Sequence, residues 1–384
     1  MFIKSRNDVL ERESGIETLK IIAMIIIVIS HVIRTLISGS AAVLVKGYIL
    51  DVSHSTTNPT HLIISCLSML GGYGNTIFFM CSAWFLVKST NLKVKKVFDI
   101  ITDIWIINFI FLVFFLITGK ADLPVKLIID SLFPTIYAWN WYMTVYIMMY
   151  LMHTALNRII YSLTKKQLLE VNIIMFIMYC VIDYLLGDHF FPNAITYFII
   201  LYFFVSYVRL YLPRFCESQK VNTILLLVGA ICPFLLTILT NYLGQYIGYF
   251  STIDHYLRWG GMNSPFVIIT AISSINLCKK RVFVNKTINY LSGLSMYVYV
   301  IHANHLLVDY VYPIVWMWIK TTLGYDKLLV WIIMYAMSLF VISIVVSIVY
   351  KITLGRASLR ISSFLYRRTA TLFDTIVGKL SNIM

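Results

Sequence analysis

The sequence predicts an all-α integral membrane protein, a bundle of about ten membrane-spanning helices with both termini in the cytoplasm. Three observations carry this. First, 60% of the residues are hydrophobic, only 12% are charged, and the mean hydropathy is +0.83. A soluble domain carries about twice that charged fraction. Second, the charges gather into clusters, and the apolar runs between them are continuous over the ~20 residues a helix needs to cross a bilayer. Continuous runs, without alternation, argue against a β-barrel. Third, with the N-terminus inside, the outer side keeps only Arg34, Lys46, Lys120, Lys126, Arg258, Lys320 and Lys327 of the 31 Lys and Arg. That asymmetry follows the positive-inside rule. The net charge of +14 is then topology plus affinity for anionic lipid, and nucleic acid is set aside as a partner.

The first span, near 16–38, stays as an anchor, because it is too long for a signal peptide and lacks a small-residue cleavage site. An external loop rich in Ser and Thr follows, with His54 and Pro59. The second span, near 61–87, holds Gly71, Gly72 and Gly74, which relax or break its outer half. Asn75 and Ser82 are polar groups at membrane depth and need partners. They fit close packing of small residues or a cavity wall.

A basic cytoplasmic loop leads to the third span, near 97–118. Asp99 and Asp103 share a face there, Lys95 is one turn before Asp99, and a solvated or headgroup-level pair is expected. The stretch after Gly119 is too short and too charged to span. The fourth span, near 139–160, opens with an aromatic belt of Trp139, Trp141 and Tyr142, and carries His153 and Asn157 as an expected hydrogen-bonded pair. Spans near 169–187, 192–212 and 221–243 are mostly apolar. The eighth, near 260–278, is rich in small residues. The ninth, near 288–310, puts His302, His305 and Asp309 on one helical face, read as a polar stripe lining a cavity or as hydrogen bonding between helices. No second ligand helix accompanies them, so no metal is expected. The tenth span, near 327–350, ends the membrane domain, residues 1–351. Residues 352–384 form a tail in which Ile361, Leu365, Leu372, Ile376 and Leu380 alternate with Arg360, Arg367, Arg368 and Lys379. It reads as a basic amphipathic helix on the inner leaflet. The six cysteines show no CxxC spacing and suggest neither disulfides nor zinc.

The chemistry concentrates in GIETLKIIAMIIIVISH, residues 15–31. Lys20 and His31 are eleven residues apart, close to three helical turns, so they share one face roughly 16 Å apart along the axis. Glu17, one turn before Lys20, shares it too. Lys20 suits an anionic group such as a phosphate at the cytoplasmic mouth. His31 is an ionisable group deep in a span, suited to take a proton from a hydroxyl or to carry an acyl group. On the residues alone the plainer reading leads: His31 a hydrogen-bonded core residue, Lys20 a positive-inside flank.

That string resembles the signature of the membrane acyltransferase type 3 family, a basic residue and a histidine separated by ten positions. IFFMCSAWFL, WYMTVYIMMYLMHTALNRII, and NSPFVIITAISS followed by LSMYVYVIHANH resemble further family stretches, in family order, and the bacterial polysaccharide-modifying branch is the most similar. Two positions depart: Lys20 stands where Arg is commoner, losing a bidentate fork for phosphate, and Ser82-Ala83 stands for Ser-Gly. The resemblance implies acetyl-CoA or another acyl-CoA as cytoplasmic donor, with no bound cofactor, and a hydroxyl of a polysaccharide or lipid-linked oligosaccharide as acceptor. It implies catalytic roles for Lys20 and His31, with Glu17 beside them, and matches Tyr299 and His302 to the late Tyr-x-x-His motif. Asn75, Ser82, Trp141, Tyr299, His302 and His305 are the expected substrate-binding residues. The expectation is an O-acetyltransferase of the cell membrane. A flippase of lipid-linked saccharide, or an inactive scaffold in polysaccharide assembly, are the rivals.

Overall fold

The computed structural model describes residues 14–37, 50–119, 125–137, 140–182, 193–253, 257–280, 283–324 and 326–381, with side chains as far as 371. Among them the chain is almost wholly helical. The only β-type pairing is an isolated bridge between His54 and Thr252.

Helix α1 (Ser14–Ile37) is the axis of the bundle. Its first turn is held from outside: the Ser14 hydroxyl donates to Asn289 Oδ1 at 2.8 Å and accepts from the Asn285 backbone N–H at 2.7 Å. The Ser14 backbone N–H, a donor that a helix start leaves open, donates to the Phe283 carbonyl at 2.8 Å. Helices α2 (Pro59–Ser68) and α3 (Leu70–Leu86) run on from one another, α2 opening with Asn58 as N-cap and Pro59 in the first turn. Helix α4 (Val94–Thr118) stops at Gly119, whose φ of 57° lies in the left-handed region that favours glycine. After it come the short α5 (Val125–Leu132), α6 (Trp141–Ser162) and α7 (Lys165–Met175), the last passing into a π-helical stretch, Phe176–Ile182. Next are α8 (Ala194–Tyr211), α9 (Pro213–Glu217), α10 (Gln219–Leu243) and α11 (Pro265–Lys279). The last group is α12 (Lys286–Ser292), α13 (Ser295–His302), α14 (Tyr312–Trp318), α15 (Leu328–Thr353) and α16 (Gly355–Ser381).

Seven helical segments among the described residues are long and apolar enough to cross a membrane: 14–37, 59–86, 94–118, 194–211, 219–243, 258–279 and 328–353. They make this a membrane protein. Three of the ten expected spans fall outside the seven. Two form helices, α6 and α7, and part of the stretch near 169–187 lies outside the described residues. The third, near 288–310, is divided. Helix α13 ends at His302, and the chain turns through Ala303 and Asn304. Asn304 stabilises that turn: its Oδ1 accepts from the Leu306 N–H at 3.0 Å, and its Nδ2 donates to Asn108 Oδ1 at 2.9 Å. His302, His305 and Asp309 therefore do not form one helical stripe.

The glycines of the second span do not break it. The one interruption is a turn residue before them, Met69, which keeps right-handed helical backbone angles, and α3 continues through all three. They serve close approach: a Cβ on Gly74 would stand 2.5 Å from Ile27 Cγ1 and 2.9 Å from the Ala23 carbonyl oxygen. Within lipid, helices associate by such packing, because lipid tails are as apolar as the helix faces. Gly74→Ala should therefore lower the thermal unfolding midpoint of the detergent-solubilised protein. Overpacking costs about 1–3 kcal/mol, against the roughly 1 kcal/mol that Ala gains in helix propensity. An unchanged or raised midpoint would mean that α1 and α3 can part without cost.

Two polar expectations are revised. Lys95 does pair with Asp99, at 2.7 Å. Asp103 is not solvated, however: it is buried and accepts hydroxyl hydrogen bonds from Tyr297, Tyr350 and Ser358 at 2.8, 2.7 and 2.5 Å. It ties α4, α13, α15 and α16 together. His153 and Asn157 are not bonded to each other. His153 Nδ1 donates to the Tyr150 carbonyl at 2.5 Å, while Asn157 Nδ2 donates to the Leu86 and Ser89 carbonyls.

Candidate active site

Lys20 and His31 occupy one face of α1, as the spacing requires, and their surroundings differ. Lys20 Nζ meets Glu17 Oε1 at 3.1 Å and lies 5.6 Å from the centre of the Phe85 ring. Glu17 is buried, and its second oxygen accepts from the Ser292 hydroxyl at 2.5 Å. A carboxylate at this depth is retained only with such partners.

Glu17 and Lys20 open onto a cavity of about 290 Å³. Its wall takes Phe78 and Ser82 from α3, Lys96, Asp99 and Asp103 from α4, and Tyr142, Met143 and Tyr146 from α6. The stretch from Ser292 to Tyr297 and Lys351 of α15 complete it. Three lysines rim this space. Two of its three carboxylates are held by lysines at bonding distance, and Asp103 is held by three hydroxyls. Lys351 sits over Tyr297, 5.0 Å from the ring centre. Lys96 and Lys351 are functional candidates that sequence reasoning passed over as ordinary flanks. Only the fold, bringing the ends of α1, α4 and α15 together, makes them neighbours of Lys20.

His31 lies deeper and does not line this cavity. Tyr142, on the cavity wall, lies tilted against Tyr299 at 5.4 Å, and Tyr299 is 6.3 Å from His31, ring centre to ring centre. The two tyrosines stand between the cavity and the imidazole. The Tyr142 hydroxyl is buried and has no hydrogen-bond partner among the described residues.

The decisive contact joins residues 271 positions apart. His31 Nδ1 lies 3.1 Å from His302 Nε2, and His302 Nδ1 lies 2.7 Å from the Val298 carbonyl oxygen. A carbonyl only accepts, so His302 Nδ1 carries a proton. With both rings neutral, His302 Nε2 is then an acceptor, and His31 Nδ1 must carry the proton it receives. Among the described residues one nitrogen remains with an open lone pair, His31 Nε2. The chain of bonds fixes the tautomer, which the positions of the ring atoms alone do not. The position of His302 is set in turn by the Tyr312 hydroxyl, which donates to the His302 carbonyl at 2.6 Å. Trp316 holds α1 at the same level, its Nε1 lying 3.2 Å from both the Val32 carbonyl and Thr35 Oγ1.

The arrangement provides a base with one free nitrogen, a neighbouring imidazole that orients it, and a lysine-rimmed cavity at the other end of the same helix. A family model described as an acyltransferase domain matches residues 13–350. The chain belongs to the acyltransferase type 3 family. The match covers every candidate site residue except Lys351, which directly follows it, and ends within the last apolar span. Comparison with curated proteins and with solved structures finds no match.

Set within this membrane acyltransferase, the other expected residues divide. Glu17, Lys20 and Ser82 line the cavity; Tyr299 and His302 contact His31. Asn75 is buried one turn from Phe78, and its Oδ1 lacks a partner among the described residues. Trp141 is half-buried, stacked edge-on against Tyr142 at 5.7 Å and tilted against Phe198 at 6.5 Å, so it supports the Tyr142 wall from behind. His305 follows the Asn304 turn, half-buried and within electrostatic reach of His31. Tyr142 is the residue the sequence reading missed here, having been taken for part of an interfacial belt. Its neighbour Trp141 supplied the aromatic signal and hid it.

Proposed function

We propose that this acyltransferase moves an acetyl or similar small acyl group from acyl-CoA to a hydroxyl of a cell-surface polysaccharide or its lipid-linked precursor, in the manner of the bacterial polysaccharide-modifying branch. The N-terminus and the tail are cytoplasmic, ten segments cross or enter the bilayer, and the lysine-rimmed cavity faces the cytoplasm. The observation that carries this reading is the His31–His302 pair, with one free imidazole nitrogen set deep in the bundle above that cavity. The phosphates of the donor meet Lys20, Lys96 and Lys351. Its thioester passes the two tyrosines to reach His31.

His31 Nε2 takes the proton of the acceptor hydroxyl as that oxygen attacks the thioester carbonyl. The new bond is C–O, the broken bond is C–S, and the proton passes from Nε2 to the departing thiolate. The products are an ester and free CoA thiol. The partner ring cannot carry the proton further, because its other nitrogen ends on a peptide carbonyl. The same nitrogen must therefore act as base and then as acid. While His31 is charged, its bond to His302 is charge-assisted and stronger. The Tyr142 hydroxyl, buried without a partner among the described residues, is a donor suited to the oxyanion of the tetrahedral intermediate.

The test is the O-acyl content of cell-surface polysaccharide, by proton NMR before and after mild alkali. Deletion of the gene should remove an alkali-labile acyl signal while leaving the polymer at the surface. Loss of the polymer itself would support a flippase. An unchanged acyl signal would leave only a scaffold.

A further inference from the structure

One charged residue of α1 has no part in the chemistry above. Arg34 lies one turn beyond His31, toward the end of α1 away from Lys20. At 100° per residue it falls within about 60° of His31 and about 40° of Lys20 on the helix circumference. Ile22, the most exposed apolar residue of α1 at 48%, is about 120° away from Arg34. Its neighbours on that side, Ile25 and Ile29, are also partly exposed. The lipid-facing side of α1 is thus the Ile22 side, and Arg34 is exposed on the other, the side of Lys20 and His31. It makes no hydrogen bond or ion pair among the described residues. Between Ile21 and Ile33 the helix has no other charge.

We propose that Arg34 binds the acceptor, and that the acceptor is an acidic saccharide, bearing a carboxylate or phosphate close to the hydroxyl that is acylated. This rests on the acyltransferase reading above and adds the substrate class. The face of α1 reads cation, imidazole, cation. Lys20 meets the donor's phosphates from one end. Arg34 meets the acceptor's anion from the other, and His31 is placed where the two substrates join. A guanidinium offers paired parallel donors that match a carboxylate or phosphate and fix its orientation as well as its charge. Held one turn from His31, such an anion sets its neighbouring hydroxyl toward the imidazole. A neutral sugar leaves the cation without a partner among the described residues.

The purified protein, with acetyl-CoA as donor, would be assayed on three acceptors: methyl glucuronoside, glucose 1-phosphate and methyl glucoside. Wild type should favour one or both acidic acceptors over the neutral one by at least tenfold in kcat/KM, with the preference shrinking as salt rises. Which acid is favoured distinguishes a carboxylate from a phosphate acceptor. In Arg34→Gln the preference should collapse through a raised KM for the acidic acceptor, and Arg34→Lys should restore part of it. Equal use of acidic and neutral acceptors by wild type overturns the proposal without any variant, as does a preference that survives in Arg34→Gln. Transfer to the neutral sugar alone overturns it while leaving the acyltransferase reading intact. Failure of acetyl-CoA to react with any saccharide, in protein that retains its fold, removes that reading and this proposal with it.

Discussion

Replacing His31 by Ala is expected to lower acyl transfer at least about 10³-fold, a loss of roughly 4 kcal/mol of transition-state stabilisation. The imidazole is the only group on α1 at that depth able to take and return a proton. Its Nε2 is left open by the bonds that occupy Nδ1 and the partner ring. Transfer of labelled acetyl from acetyl-CoA, measured at matched protein levels, checks this. The KM for the donor should change little, because Lys20 and the cavity are about three turns away. His31→Gln should be equally inactive: an amide can occupy the hydrogen bond but cannot cycle a proton. If either variant keeps activity within about threefold of wild type, the imidazole is only a core residue. A covalent acyl group trapped on His31 would keep the residue at the centre while replacing the base mechanism by a nucleophilic one.

What the sequence reveals of this site is what is local. The spacing from Lys20 to His31 is a property of one helix, so it can be read directly, and the first span lies where its hydrophobic run predicts. The bond from His31 to His302 depends on how two helices far apart in the chain come together. No periodicity encodes it; only the Tyr-x-x-His resemblance points to His302. The same holds for Asp103. Its three hydroxyl donors come from three other helices, whereas the pair within one helix, Lys95 with Asp99, could be read from spacing alone. The divided helix at Asn304 escaped notice because an apolar run of spanning length does not show a turn stabilised by a distant Asn108.

The tail makes the same point from the opposite side. Its apolar stripe, with Ile361 and Leu365, is not used to pack on the bundle: both residues stay exposed, at 41% and 43%. The helix packs instead through Ser358, bonded to Asp103, and Ser362, whose hydroxyl donates to Asp99 at 2.5 Å. The amphipathic pattern bears on the leaflet-facing stripe and carries no information about the side that meets the protein. The face left exposed, apolar with Arg360, Arg367 and Arg368 around it, is the one suited to an anionic leaflet.

His302→Ala carries the second large expected effect, a fall in kcat on the order of 10²-fold with the donor KM nearly unchanged. His302 touches neither donor nor acceptor in the proposed reaction, so its contribution runs through His31. Without the acceptor at His302 Nε2, the Nδ1 proton of His31 loses its partner, and the ring is free to rotate or to change tautomer. A fraction of molecules then presents a protonated nitrogen to the acceptor hydroxyl and cannot act as base. The charged form generated during transfer also loses its charge-assisted bond, which raises the barrier further. His302 is fully buried, so truncation to Ala also costs packing, and a lowered unfolding midpoint alone would say nothing about catalysis. His302→Gln separates the two effects. Its side-chain carbonyl can accept from His31, so it should recover part of kcat, whereas simple filling of the cavity by His302→Leu should restore stability and leave kcat low. If Leu recovers activity as well as Gln does, His302 is packing and not a positioning residue, and His31 must hold its tautomer by some other means.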